Sequence, residues 1–254
     1  MLVALTRKPS SLLESGERTH VGREAIDVSR ALVQHDMYRA TLAMCGLDVH
    51  RLDDAEAFPD GVFVEDTAVV VDEVAVITRP GAACRRPEVG GIELALRAYR
   101  VTERVAAPAT LDGGDVVVVG RTILVGRSER TNEEGIHALA GITRRFGYGV
   151  VPVRMRGCLH LKSGCTLLPD GRLLLNRAWI EIDDLAGFDL VDVANDEPWG
   201  GDVAIANDMI IAAKTFPKTI VILEREGFAV KAVDVSEFAR AEGGVTCLSL
   251  IFRV

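Results

Sequence analysis

Three observations predict an α/β fold of five repeated units closed into a ring, a pseudo-symmetric α/β-propeller. A β-hairpin pattern recurs four times, helical stretches separate the copies, and a strand without a hairpin partner stands at each end of the chain. A supersecondary unit returning every about 40–50 residues is the mark of propellers and solenoids. An ordinary three-layer α/β sheet is the alternative, since it shows the same alternation of strands and helices. A closed ring has the advantage of leaving no sheet edge open. Residues 1–254 then form a single domain, although the length alone would allow one or two.

The elements follow in order. LVALTR (2–7) reads as a strand, and a helix near 24–45 should bury Ile26, Val33, Met37, Ala40 and Met44, with Gly46 closing it. TAVVVDEVAVITRPG (67–81) is a hairpin turning at Asp72-Glu73, and DVVVVGRTILVG (115–126) repeats it with a turn at Gly120-Arg121. CTLLPDGRLLLNR (165–177) turns at Asp170-Gly171, a favoured hairpin pair, and VAIANDMIIAA (203–213) at Asn207-Asp208. Helical spacing of apolar residues appears at 87–97, 132–146 and 217–226, the last opened by Pro217 and ended by Gly227. Strands such as 149–153 and 228–233 come after these helices. TCLSLIFRV, at the end of the chain, has no hairpin mate. Pairing it with the N-terminal strand completes the fifth unit.

Composition narrows the function. Hydrophobic residues make up 48% of the chain, enough for a substantial core, and the net charge is −8. No stretch carries the basic patch of a nucleic-acid binder. No run is long enough to span a membrane, and no leader with a cleavage site is evident, so a cytoplasmic protein is expected. Cys45, Cys84, Cys158, Cys165 and Cys247 form no CxxC pair, which disfavours a disulfide framework or a structural zinc.

A polar cluster precedes the first strand of each hairpin. These are Glu65-Asp66, Asp112-Gly113-Gly114-Asp115, His160-Leu161-Lys162-Ser163, Gly201-Asp202 and finally Thr246-Cys247. In a radial repeat, equivalent positions converge at one end of the central channel. Singly, each residue has an ordinary explanation: Asp112 as a turn residue, His160 as a satisfied core histidine, Cys247 as a core thiol. The shared register points instead to a site holding a thiol, an imidazole and several acids.

FVED (63–66), TRPGAACRR (78–86), LDGGDV (111–116), GRSERTN (126–132), LHLKSG (159–164) and GGVTCLSL (243–250) resemble the dimethylarginine dimethylaminohydrolases. These belong to a guanidine-modifying superfamily that also contains arginine deiminases and amidinotransferases. The resemblance runs from the first strand to the last and keeps motif order. It implies a five-bladed α/β-propeller, the pentein fold, that hydrolyses Nω-methylated arginines to citrulline and an alkylamine. It also implies Cys247 as nucleophile, His160 as general acid and then general base, and Asp112 beside them as a catalytic acid. Asp66 and Asp112, with Glu65 close by, would grip the guanidinium, Arg85 and Arg130 the substrate carboxylate, and Asp60 with the carbonyl of Ala241 the α-ammonium. Relatives carry glutamate or aspartate at the position of Asp112, which leaves open whether it touches substrate or orients His160. Segment 10–20 is placed like a mobile lid. No cofactor or metal is implied, and zinc captured by Cys247 and His160 would inhibit. The expected partner is a small cationic amino acid, with no nucleic acid or membrane, and a homodimer is possible.

The chemistry suits these residue types. A guanidinium carbon is a poor electrophile, so a thiolate rather than a thiol must attack it. Free cysteine has a pKa of about 8.5, and a nearby imidazolium or the substrate cation itself would favour the thiolate. One histidine suffices, because the proton it gives to the departing amine is recovered from water. Charge-assisted bonds from carboxylates hold the planar cation, and the two parallel donors of an arginine suit a carboxylate. Arginine deiminase and amidinotransferase activities are alternatives, although such enzymes are usually larger. A binding protein that kept the cage and lost turnover is an alternative of another class, and Cys84 as a redox thiol beside Arg85 and Arg86 is a third. Replacing Cys247 by Ser should abolish guanidine hydrolysis while Cys84→Ser preserves it, as read by citrulline formation. The opposite pattern would transfer the reactive role to Cys84.

Overall fold

The computed structural model describes residues 1–53 and 55–254. Strand β1 (Leu2–Thr6) leads through an irregular segment to helix α1 (Val28–Met44) and β2 (Asp48–Arg51). The next unit holds β3 (Ala68–Val70), β4 (Val74–Ile77), α2 (Val89–Leu96) and β5 (Val101–Arg104). It is followed by β6 (Val116–Val119), β7 (Thr122–Arg127), α3 (Glu133–Thr143) and β8 (Gly149–Arg154). A single turn, α4 (Leu161–Gly164), opens the unit of β9 (Cys165–Leu167), β10 (Leu173–Leu175) and β11 (Leu190–Asp192). The chain ends with β12 (Val203–Ala206), β13 (Met209–Ala213), α5 (Pro217–Arg225), β14 (Ala229–Val233), α6 (Ser236–Arg240) and β15 (Leu250–Arg253).

These strands form five three-stranded sheets of one pattern. In four of them a hairpin supplies an antiparallel pair, and a third strand returns parallel after a helix or turn. The fifth uses both ends of the chain: β15 runs antiparallel to β1, with Leu2 opposite Arg253 and Leu5 opposite Leu250, while β2 lies parallel on the other side of β1. The hairpin turns fall where expected, and Asn207, Gly120 and Gly171 adopt the left-handed backbone that tight turns require. First strands from all five sheets line one cavity of about 250 Å³, among them Val69, Val117, Thr166, Ala204 and Leu250. Among the described residues no helix is long and apolar enough to cross a membrane.

Helix α1 departs from its expected orientation. Val33, Met37 and Met44 point to solvent, at 64, 61 and 73% exposure. The buried face carries Ala31, Gln34, His35, Tyr38 and Leu42 instead. Polar satisfaction decides it for Gln34 and Tyr38, while the buried His35 Nε2 has no hydrogen-bond partner among the described residues. Gln34 Nε2 donates to Ser236 Oγ (2.9 Å), Gln34 Oε1 accepts the Glu237 amide (3.0 Å), and the Tyr38 hydroxyl bonds Ser249 Oγ (2.7 Å). The Phe238 ring packs against His35. Side chains that reach partners can be buried at little cost, and an apolar count alone does not register them.

Helix α3 contains two glycines with opposite environments. A Cβ on Gly135 would sit 1.9 Å from the carbonyl oxygen of Thr110, whereas one on Gly141 would meet open space. Gly135→Ala should therefore destabilise the protein by about 1–3 kcal/mol through forced backbone displacement. Gly141→Ala should stabilise it by about 0.5–1 kcal/mol by restricting the unfolded chain. Urea midpoints at constant m-value measure both.

Candidate active site

The polar clusters occupy the turns that enter the first strands. Val64–Thr67 and Gly113–Asp115 are 3-10 turns and Leu161–Gly164 is the single turn α4, so their side chains are presented just ahead of the strands. A narrow cavity at this end is lined by Glu17, Asp60, Phe63, Asp66, Arg85, Arg130, Leu159, His160, Ala241, Glu242 and Cys247. Of the expected site residues it therefore gathers Cys247, His160, Asp60, Asp66, Arg85, Arg130 and Ala241. Asp112 and Glu65 stand elsewhere. Asp112 is wholly buried behind His160, and Glu65 faces the central cavity, where Oε1 accepts Lys162 Nζ at 2.7 Å.

His160 is held from two sides. Nε2 bonds Asp112 Oδ2 at 3.0 Å, and Nδ1 lies 3.7 Å from Asp66 Oδ1. The other oxygen of Asp112 accepts the Gly81 amide at 2.9 Å. Asp115, which is also wholly buried, fixes the backbone: Oδ1 accepts the Leu161 amide next to His160 at 3.0 Å, and Oδ2 accepts both Ser128 and Thr131 hydroxyls at 2.6 Å. Ser128 Oγ in turn accepts the Arg130 amide at 3.0 Å. One carboxylate thus sets the positions of the imidazole and of an arginine. Asp115, Ser128 and Thr131 were not singled out as site residues by the sequence, although the register of the cluster at 112–115 carried the signal for Asp115.

The two arginines differ. Arg85 is buried in its own ion cluster, donating to Asp66 Oδ2 (2.5 Å), Glu88 Oε2 (3.0 Å) and the Phe63 carbonyl (3.0 Å). Its fork is largely engaged by the protein. Arg130 is 8% exposed and, among the described residues, its guanidinium has no carboxylate partner.

Cys247 lies at the start of a strand-bound turn. Its Sγ receives the Gly244 amide at 3.5 Å, and Asp202 Oδ1 accepts the Thr246 amide at 3.0 Å. Burial, reinforced by Asp202, Glu65 and Asp66, pushes the thiol well above its usual range. Burial works against charge on His160, but Asp66, the bond to Asp112 and Asp115 overcome it and lift the imidazole to about 9. Burial also raises Asp202 to about 7 and Asp115 to about 6. Asp66 is held below the usual carboxylate range, its burial outweighed by His160 and Arg85. At neutral pH the site holds a thiol and an imidazolium within a surplus of acids. Such a cavity attracts a cation and opposes a thiolate until one arrives.

Atoms of Asp66, Asp112 and His160 lie within 4.8 Å of one another, close enough to hold a metal ion. The contacts already made, imidazole to carboxylate and carboxylate to the Gly81 and Gly114 amides and to Arg85, account for these groups as a hydrogen-bonded network. Cys84 stands apart and exposed, its thiol donating to Glu17 Oε1 at 3.1 Å.

A buried thiol and an acid-bound imidazole sharing a cavity on repeated α/β units define a class of enzyme, one equipped for covalent chemistry on a small cation. The chain belongs to the dimethylarginine dimethylaminohydrolase family. The sequence model described as N,N dimethylarginine dimethylhydrolase, eukaryotic, matches residues 17–162. The N(G),N(G)-dimethylarginine dimethylaminohydrolase of Streptomyces coelicolor is 40% identical over 98% of this chain and 96% of its own. Among solved structures, a dimethylarginine dimethylaminohydrolase adduct with S-methyl-L-thiocitrulline superposes with a TM-score of 0.93 at 33% identity, covering 99% of this chain and 100% of that one. The Pseudomonas aeruginosa enzyme, as a variant complexed with citrulline, gives 0.92 at 33% identity over 98% of both chains.

Because burial and the carboxylates of Asp202, Glu65 and Asp66 hold the Cys247 thiol well above its usual range, its alkylation by neutral iodoacetamide should be slow at pH 7 and climb only on the alkaline side. A plateau already reached below pH 8 would show a preformed thiolate–imidazolium pair and contradict this charge balance.

Proposed function

We propose that this chain hydrolyses Nω-methylated arginines to citrulline and an alkylamine through a covalent Cys247 thiouronium. The observation that carries the reading is the convergence of Cys247, His160 and Asp66 on one cavity, with Arg130 on the same wall. The substrate guanidinium enters as a further cation that offsets the surplus of acids. It stacks its N–H groups against Asp66 and lowers the cost of ionising the sulfur, whose proton passes to solvent. Cys247 then bonds to the guanidinium carbon. His160, already protonated, gives its proton to the substituted nitrogen as the carbon–nitrogen bond breaks, and the amine departs. Water attacks the thiouronium, His160 takes a proton from it, and the carbon–sulfur bond breaks to return the thiol and citrulline.

The remaining roles follow from what each group touches. Asp112 acts as a positioning residue for His160, since both its oxygens are taken by the imidazole and the Gly81 amide. Arg130 receives the substrate carboxylate, and Asp60 with the Ala241 carbonyl the α-ammonium. Arg85 holds Asp66 ionised and adds positive field to the carboxylate end. Glu65, paired with Lys162, supports the floor of the site. Zinc on Cys247 and His160 would block it.

We read the five sheets as blades of a pseudo-fivefold α/β-propeller, the pentein fold, with residues 1–254 as one catalytic domain. Five free cysteines suit a reducing compartment, consistent with the cytoplasm. The exposed apolar stripe of Val33, Met37 and Met44 on α1 supports a homodimer.

Separate incubation with dimethylarginine, monomethylarginine and arginine tests the reading. Citrulline should appear with dimethylamine and methylamine respectively, and arginine should turn over far more slowly. Ammonia released from arginine with comparable efficiency would make the chain a deiminase instead.

A further inference from the structure

The cavity around Cys247 holds only about 20 Å³ of open space, close to that of one water molecule. An arginine-sized ligand can reach the sulfur only if part of the wall moves. The wall's least anchored part is the segment after the short turn at Leu13–Ser15. Between residues 14 and 25 only Gly16 is buried. Few buried apolar contacts mean a low free energy of local opening. Arg18 and Arg23 bond back to carbonyls of the same segment, those of Glu14, Glu24 and Gly16, and so do not tie it to the body.

Two carboxylates of the body hold its backbone amides, beside side-chain contacts of Cys84 with Glu17 and of Arg240 with Glu24. Asp60 Oδ2 accepts the Glu17 amide at 3.1 Å. Glu242 accepts the Thr19 amide at 2.8 Å and hydroxyl at 3.3 Å, together with the His20 amide. Consecutive amides converging on one carboxylate make charge-assisted bonds. Glu242 lies between Ala241 and the Gly243-Gly244 pair, whose second amide reaches the Cys247 sulfur. Its own φ is +65°, a left-handed conformation uncommon for a residue with a side chain.

We propose that Glu242 is a positioning residue that latches segment 17–20 over bound substrate and couples closure to the loop carrying Cys247. The proposal rests on the substrate site read above. Asp60 is assigned there to the ligand, which leaves Glu242 as the body carboxylate that takes consecutive amides of the cover. Opening breaks the amide bonds and hydrates the carboxylate, and closing restores them at the moment the cavity is sealed.

Trypsin can read the latch directly, because Arg18 and Arg23 lie within the segment and cleavage tracks the open population when reclosing is fast. Glu242→Gly removes the carboxylate while accepting the left-handed backbone, and Glu242→Gln keeps an oxygen acceptor without the charge. Without ligand, Glu242→Gly should be cut at Arg18 and Arg23 on the order of tenfold faster than wild type, the change expected for losing one charge-assisted contact. Its KM for dimethylarginine should rise by a larger factor than its kcat falls, with no loss in melting temperature. Glu242→Gln should fall between and carries the comparison if the glycine variant melts early. Unchanged cleavage in both variants overturns the latch, and so does a raised KM with the segment equally protected, which would mean that Glu242 touches substrate itself. Protection of Cys247 from iodoacetamide by dimethylarginine is measured in parallel. Its absence would sink the substrate site, while the ligand-free cleavage rates would still decide the latch.

Discussion

Buried carboxylates reaching from one unit to the backbone of another hold this architecture in register. Asp66 Oδ1 accepts the Gly114 amide at 3.1 Å, Asp115 Oδ1 the Leu161 amide, and Asp202 Oδ1 the Thr246 amide. Each joins a polar turn of one unit to a polar turn of another, and each is at most 7% exposed. A buried carboxylate without partners is strongly unfavourable, and so is the amide it would abandon. The geometry of one turn is therefore enforced by an acidic group from another unit. His160 and Cys247 sit immediately beside two of the amides so held. The acids that stabilise the junctions and the acids that tune the chemistry belong to one network.

That network sets the resting charge. With Asp66, Asp112 and Asp115 around it, His160 stays protonated, and with Asp202 and Glu65 near it, Cys247 stays a thiol. His160 is raised above its unfolded value, so the stability it contributes is complete below about pH 6.5 and is lost as pH rises through about 9. Asp202, raised to about 7, likewise favours the fold most when protonated. The Asp202 contribution fades as pH rises from 3.8 through about 7, and that of His160 on the alkaline side, through about 9. An arriving guanidinium offsets the surplus of negative charge from inside the cavity, so ionisation of the sulfur is tied to occupancy.

Much of this was legible in the sequence, for physical reasons that can be named. Hairpin turns announce themselves by residue type, and two terminal strands without mates require each other, as β1 and β15 confirm. The register of the polar clusters picked out Asp66, His160 and Cys247, which share one cavity, because position within a repeat survives when long-range sequence distance does not. The burial of α1 was not legible. Its inward face is stabilised by side-chain hydrogen bonds to Ser236, Glu237 and Ser249, more than 200 residues away. An apolar pattern records where water could be left, but it cannot record which polar groups will find partners.

Arg85 and Arg130 looked alike as sequence, and the fold makes them different instruments. Arg85 stands against Asp66, Glu88 and main-chain carbonyls, where burial would be prohibitive without those partners. That cluster keeps Asp66 ionised although it is 2% exposed. An ionised Asp66 both favours the charged imidazole of His160 and offers an oxygen to a planar cation. Arg130 is placed by the bond from its amide to Ser128 Oγ, and among the described residues its guanidinium is clear of carboxylates. A fork largely engaged by the protein is poorly placed to discriminate ligands, and on the proposed reading recognition of a substrate carboxylate falls chiefly to Arg130. Arg85 contributes by fixing the acid on which the reacting end depends.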